Sequence, residues 1–512
     1  LALKNAGPIT GIPKEPIASR TVEANHCAHP PKNMKLLSRP LFHFFIVSLV
    51  LRLAFGAFAY YALPVLGHDT DTQQAGYIFY DAAQRDTAAW ELAKSDRPLT
   101  EAFSDKYASD QYGGLLALSA LVYRVIPSDA HQPLWVVTLA ALAGGLGVVF
   151  AVLAARQVLG ELASRRAGWV MALLPESVLL GASQMREPFL ILFLAMGFYG
   201  VLLLRSPKFP DFRHRFVFSG IALLGLLAIS PGFAALLVFI SLGWIFLEGR
   251  GVPWKLALPA LAVLVVALVA LAVSWDGVVS MRGGPLGIFG DWARETVRWD
   301  KYLLGRSSGI VQLLFETLPP VLQLPFVTGY GILQPVLPAA LIEQPALPFW
   351  QVVGGLRAAG WYALLPILAY APFAAWSLPD SRQRRQWLWV SAVVWAWIVI
   401  AALRGGGDQW DNPRYRIILL VWIAMLTAMT CERLKITLDR WFLRILAVEA
   451  IILVVFTHWY AFRYLGFGFN LGIRNTLVLA IGLSVLAVTG DWAWVKVKEW
   501  KIRTGNKGRV DE

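Results

Sequence analysis

Beyond residue 38 the chain alternates long apolar runs with short polar connectors. The clearest runs cover 41–64, 134–155, 167–183, 188–204, 216–231, 233–247, 255–274, 358–376, 387–403, 416–430, 442–459 and 476–494. A helix needs roughly 17 to 25 apolar residues to cross a bilayer core, so the pattern predicts about twelve membrane-crossing helices. The run GGLLALSALVYRVI at 113–126 is short for a crossing and is expected as a juxtamembrane or tilted helix. Between 275 and 352 the apolar pieces, such as GIVQLLF and VLQLPFV, are interrupted by Pro319, Pro320 and Pro325. Interfacial helices or a re-entrant cover are expected there rather than clean spans. No period of 20 to 50 residues marks a repeat protein, and no inverted pair of broken helices suggests a transporter.

Composition turns this pattern into a class. Hydrophobic residues make up 57% of the chain and charged ones 15%, whereas soluble domains carry about 25% charge. An all-α polytopic membrane protein follows. Residues 1–38 hold Pro, Gly and scattered charge without an apolar core and read as a flexible cytoplasmic tail. Cys27 and Cys431 are the two cysteines, one in that tail and one beside a basic connector, which speaks against a disulfide framework.

The net charge of +13 sits in short connectors, among them Lys32, Lys35 and Arg39, Arg165 and Arg166, Arg384 and Arg385, and the tail after 495. That placement reports topology and not a nucleic-acid face. With 113–126 not crossing, the basic connectors all fall on one side and both termini are cytoplasmic. The opposite side receives the 67–112 loop, with nine acidic and four basic residues. The resulting divisions are 39–274 and 353–494 as transmembrane modules, 275–352 as an external interfacial or re-entrant segment, and 495–512 as a basic cytoplasmic tail.

Three polar clusters share that external side. Asp69 and Asp71 follow the first span directly, where a carboxylate can accept a proton from a hydroxyl or amine. The other acids of the loop, including Asp81 and Asp86, are expected simply to solvate it. In GASQMREPFLILFL, Arg186 and Glu187 occupy a tight turn, and Pro188 suits the first turn of the next helix. A dipole-favoured Glu187 paired with Arg186 is the bland account of that corner, while polar groups at membrane depth tend to be functional. In RGGGDQWDNPRYRIILL, Arg414 and Arg416 flank Tyr415 just before a span. Arginines at a helix end can snorkel, but arginines on the external side oppose the charge rule, and guanidinium donors suit phosphate.

With these stretches the chain resembles the GT-C superfamily of integral-membrane glycosyltransferases. The likeness is greatest to the group containing bacterial lipid A aminoarabinose transferase and the protein O-mannosyltransferases. In that group an Asp follows the first span in an aromatic-containing external loop, a position matched by Asp69 or Asp71 ahead of Tyr77 and Tyr80. An acid before Pro at a later external turn is matched by Glu187, and a late Arg-Tyr pair by Arg414 and Tyr415 in NPRYR. The resemblance covers 41–250 and then the general layout. HDTD replaces the usual Asp-Glu pair and SDQYGG at 109–114 a usual Pro-Pro pair.

The resemblance implies a GT-C fold and inverting transfer from a polyprenyl-phosphate sugar donor to a lipid, glycan or protein acceptor among membrane lipids. It implies an Asp base, Asp69 or Asp71, with Glu187 as a further catalytic candidate and Arg414 on the phosphate, helped by Arg416; Arg186 is added as a second helper from its placement at the external turn and not from the resemblance. His68, Tyr77 and Tyr80 stand as substrate-lining candidates. No cofactor is assigned; a divalent metal stays possible, although these acids lack tight ligand spacing. The expected location is a bacterial inner (plasma) membrane with the site on the periplasmic side. A transporter or flippase of a lipid-linked saccharide, a polysaccharide polymerase or ligase, and a non-catalytic scaffold subunit are the competing readings.

Overall fold

A computed structural model describes residues 39–107, 112–126, 128–205, 212–249, 309–342, 347–437 and 439–507, with positions 262 and 265. Every regular element among them is helical. The first half runs α1 (Arg39–Leu66), α2 (Asp71–Gln74), α3 (Tyr80–Lys94), α4 (Gly114–Val125), α5 (Leu134–Leu159), α6 (Glu161–Leu173), α7 (Pro175–Gly181), α8 (Glu187–Arg205), α9 (Phe212–Ile229) and α10 (Pro231–Leu247). Three shorter helices follow at Gly309–Thr317, Pro320–Leu333 and Leu337–Ile342, then long helices at Pro348–Trp376, Ser381–Gly405, Leu420–Thr437, Arg440–Leu465 and Gly472–Lys507. The short helix Asp411–Arg416 leads into Leu420–Thr437.

Eight of the described helices are long and apolar enough to cross a membrane, which makes the chain an all-α polytopic membrane protein. The expected run at 255–274 lies outside the described residues. Helices α9 and α10 coincide with 216–231 and 233–247 but are shorter than the other spans. The α5 helix packs against α1, α6 and α8, and the 420–437 helix packs against α6 and the 348–376 helix. Their residues form one continuous apolar core. By contrast, the last two spans bury only 11% and 6% of their apolar windows and sit at the rim.

The expected span 167–183 is two helices instead of one. Leu174 leaves helical geometry (φ −58°, ψ 120°) and Pro175 starts α7. The residue before a proline is pushed out of the α region, and Pro175 has no N–H for the carbonyl of Met171. The missing donor comes from Arg52 of α1, which is 1% exposed. Its Nη2 donates to the Met171 carbonyl at 3.1 Å and to Ser177 Oγ at 2.6 Å, and its Nη1 reaches the Ala172 carbonyl at 3.4 Å. A guanidinium thus mends the broken helix from outside.

The segment between α1 and α5 is a small folded layer of its own. Along α3 the residues Ala82, Arg85, Asp86, Ala89 and Leu92 are buried, at the spacing of one helical face. Helix α3 packs on α4, and Ala89 and Leu92 form a second core with Leu116, Ala120, Tyr123 and Val136. Helix α4 occupies the 113–126 run as a short element. Asp86, expected to solvate a loop, is 1% exposed. It accepts hydrogen bonds from the Tyr77 and Tyr123 hydroxyls at 2.8 Å and lies 3.0 Å from His131 Nε2.

Candidate functional site

The corner before α8 is held by its neighbours. Arg85 Nη1 donates to the Gln184 carbonyl at 3.0 Å, and Gln184 Nε2 donates to the Pro133 carbonyl at 3.3 Å. Glu187 then opens α8 with its side chain fully buried. Its Oε1 accepts from Arg414 Nε at 2.7 Å, so residues 227 positions apart meet. Its Oε2 makes no hydrogen bond among the described residues. Arg186 lies close enough to act on the Glu187 charge.

Local sequence explains how Arg414 is aimed. Asp408 Oδ1 accepts from the backbone N–H groups of Trp410 and Asp411 at 2.6 and 2.7 Å, starting the Asp411–Arg416 turn. A Cβ at Gly405 would come within 2.8 Å of Asn412 N and Cα, so only glycine admits this return of the chain onto the preceding helix. Beyond Glu187, Arg414 Nη1 donates to Asp81 at 3.0 Å and faces Asp411 at 3.5 Å. The Asp81 side chain is 48% exposed, so one edge of the guanidinium is sealed and the other is open to exchange.

One cleft adjoins this cluster, and a second shares part of its wall. The first, of about 570 Å³, has His68, Asp71, Gln73, Tyr80, Trp350 and Trp410 among its walls. Tyr80 and Trp410 are the chain neighbours of Asp81 and Asp411. Trp350 is fixed by a hydrogen bond from its Nε1 to Gln73 Oε1 at 3.2 Å, stacks on His68 with centroids 6.4 Å apart, and meets Trp410 edge-on at 5.1 Å. Arg357 lies 4.4 Å from the Trp410 centroid, pairs with buried Glu176 at 2.6 Å and donates to the Gln409 carbonyl at 3.0 Å. The second cleft, of about 800 Å³, is walled by Tyr77, Gln84, Thr87, Glu91, Lys106 and Tyr107 among others. Asp71 and Thr72 line both.

The residues singled out in the sequence therefore separate into groups. Glu187 and Arg414 are in contact, with Arg186 beside them. Asp71, His68 and Tyr80 line the first cleft, and Tyr77 lines the second. Asp69 lines neither; it is exposed and accepts from Gln74 Nε2 at 3.2 Å. Arg416 is not brought to the cluster. It stacks 3.4 Å from the Trp361 centroid and donates to the carbonyls of Ile332 and Gln334 at 3.2 and 2.9 Å, tying the 309–342 segment to the bundle. Tyr415 is half-buried, its carbonyl accepting from Trp397 Nε1 at 3.0 Å.

Sequence reading passed over Asp81, Gln73, Trp350 and Trp410. Nothing in the local pattern distinguishes these tryptophans among 22. Asp86 did carry a signal, since it falls on the apolar stripe of α3. Burial and the Asp86 carboxylate push the Tyr77 and Tyr123 hydroxyls well above the ordinary phenol range, so both stay protonated as donors. Among the described residues no group of three or more His, Cys, Asp or Glu is placed to hold a metal ion.

The eight spans and the polar cluster at their ends define an integral membrane protein with a built site at the edge of its helical core. No protein-family model and no curated protein matches the chain. Among solved structures it is similar to the archaeal oligosaccharyltransferase AglB from Archaeoglobus fulgidus, solved in complex with an inhibitory peptide and a dolichol-phosphate. The identity is 15% and the TM-score 0.41, over 87% of this chain and 55% of that one. The chain spans about half the length of that protein.

Proposed function

We propose that the protein transfers a sugar from a polyprenyl-phosphate donor to an acceptor, as the resemblance of its HDTD, REP and NPRYR stretches to GT-C glycosyltransferases implies. The observation that carries this reading is the position of Asp71 on the shared wall of two clefts, one of which abuts the Arg414 cluster. The donor sugar lies in the aromatic cleft. Its phosphate takes the place of half-exposed Asp81 at Arg414 Nη1. Buried Glu187 keeps the guanidinium aimed throughout.

Asp71 then takes the proton from an acceptor O–H or N–H, and the acceptor atom bonds to the anomeric carbon from the face opposite the phosphate. The bond from that carbon to the phosphate oxygen breaks, and its electron pair leaves with the polyprenyl phosphate. Arg414 stabilises the charge that develops there, and attack from the opposite face inverts the anomeric centre. Asp71 is preferred to Asp69 because it lines both clefts while Asp69 lines neither.

The test is to incubate purified protein with a panel of radiolabelled polyprenyl-phosphate sugars and follow release of polyprenyl phosphate. Cleavage that drops about 100-fold or more in Arg414→Lys, the size of effect seen when a charge-stabilising donor is lost, supports the proposal. A donor that crosses between leaflets uncleaved would instead identify a flippase.

A further inference from the structure

The second cleft differs from the first in chemistry and in the elements that build it. Its described walls come from α2, α3, the linker between them and the turn Asp105–Tyr107, none of which is long and apolar enough to cross a membrane, so no membrane-crossing helix among the described residues lines it to house a lipid tail. Among the described residues that line it, Asp71 and Glu91 face a single cation, Lys106, so these side chains are together net negative and unfavourable for a phosphate group. Gln84 and Thr87 offer both donors and acceptors, while Tyr77, Tyr107 and the methyl groups of Ala83 and Ala88 add an apolar wall. Its volume falls within the range of about 300–1,000 Å³ typical of small-molecule sites.

A sugar ring has the complementary surface: hydroxyls that both donate and accept, and a face of C–H groups that packs on an aromatic ring. We infer that this cleft is the acceptor subsite and that it takes the neutral, hydroxyl-rich end of a saccharide. The inference rests on the transfer reading above for the word acceptor. The hydroxyl that reaches Asp71 gives its proton to that carboxylate, and its oxygen becomes the new glycosidic oxygen. Gln84 Nε2 donates to Tyr80 Oη at 2.6 Å, a bridge that joins the walls of the two clefts.

Binding can be read without any donor. Full-length protein in nanodiscs is applied to an array of neutral oligomers of glucose, galactose, mannose and N-acetylglucosamine, to Ser/Thr-containing peptides and to vesicles rich in anionic lipid. Thr87 and Glu91 are exposed on α3, so Thr87→Trp fills the cleft and Glu91→Ala removes a contact without opening a core. Each is expected to weaken saccharide binding about tenfold or more, equivalent to about 1.4 kcal/mol. Lys435→Ala, exposed on the 420–437 helix and lining neither cleft, is expected to leave it unchanged.

Saccharide binding indifferent to Thr87→Trp, binding of peptides or vesicles alone, or no binding by the parent protein would each overturn the inference. If saccharide binding responds as expected while no donor is cleaved, the transfer reading fails and the saccharide cleft stands.

Discussion

Burying the Asp86 carboxylate removes water from a charge, a cost of several kcal/mol for an ion in a protein interior. Tyr77, Tyr123 and His131 offset that cost by surrounding it, and the three come from the α2–α3 linker, α4 and the approach to α5. The network therefore ties α3, and the Tyr77 that walls the second cleft, to α4 and the approach to α5. Both phenols have folded pKa values raised above the unfolded value near 10. Their contribution is complete below pH 10 and is lost as pH rises beyond it, by up to about 1.4 kcal/mol per phenol and pH unit. Thermal melts between pH 8 and 11.5 are expected to fall steeply only above 10 in the parent, and less steeply in Tyr77→Phe. A fall already complete at pH 9 would contradict the network. At this scale the sequence was partly legible: Glu187 and Arg414 stood out by placement, whereas Asp81 resembles any solvated loop acid until a partner over 300 residues away is seen.

Helix α1 and the broken pair α6–α7 show how one element completes another. A leucine at position 52 would leave the Met171 and Ala172 carbonyls without the donors that Arg52 supplies, and each orphaned acceptor costs about 1–3 kcal/mol. Arg52→Leu is expected to lower the melting temperature of the purified protein markedly. Pro175→Ala restores the N–H that Met171 lacks, so the cost of Arg52→Leu in that background is expected to shrink by about 1 kcal/mol or more. Strictly additive effects would contradict the account of the break. Most spans were legible because apolar length alone decides them. The break at Pro175 was written in the sequence as LLPES, but the apolar residues of 167–174 and 178–183 on either side masked it. The burial of Arg416 against Trp361 was not legible, because a guanidinium held by carbonyls and a ring leaves no mark in the sequence near it.

Across the whole molecule the site is assembled from the α1–α3 connection, the α7–α8 corner, the start of the 348–376 helix and the 405–416 turn. None of these is a site alone. The α1 span carries the HDTD stretch to the end of the core, α8 brings Glu187, and the glycine-permitted turn at 405 folds Arg414 back to meet it. The motifs announced three of these four parts. The fourth, Trp350, could be placed only by tertiary packing, since it reaches the first cleft through Gln73 and Trp410. The most direct test of this assembly compares donor cleavage by Asp71→Asn and Asp69→Asn, two changes of equal chemistry two residues apart. Loss of a general base costs about 10²- to 10⁴-fold, so Asp71→Asn is predicted to fall by that factor while Asp69→Asn stays close to the parent. Equal losses, or a loss confined to Asp69→Asn, would contradict it.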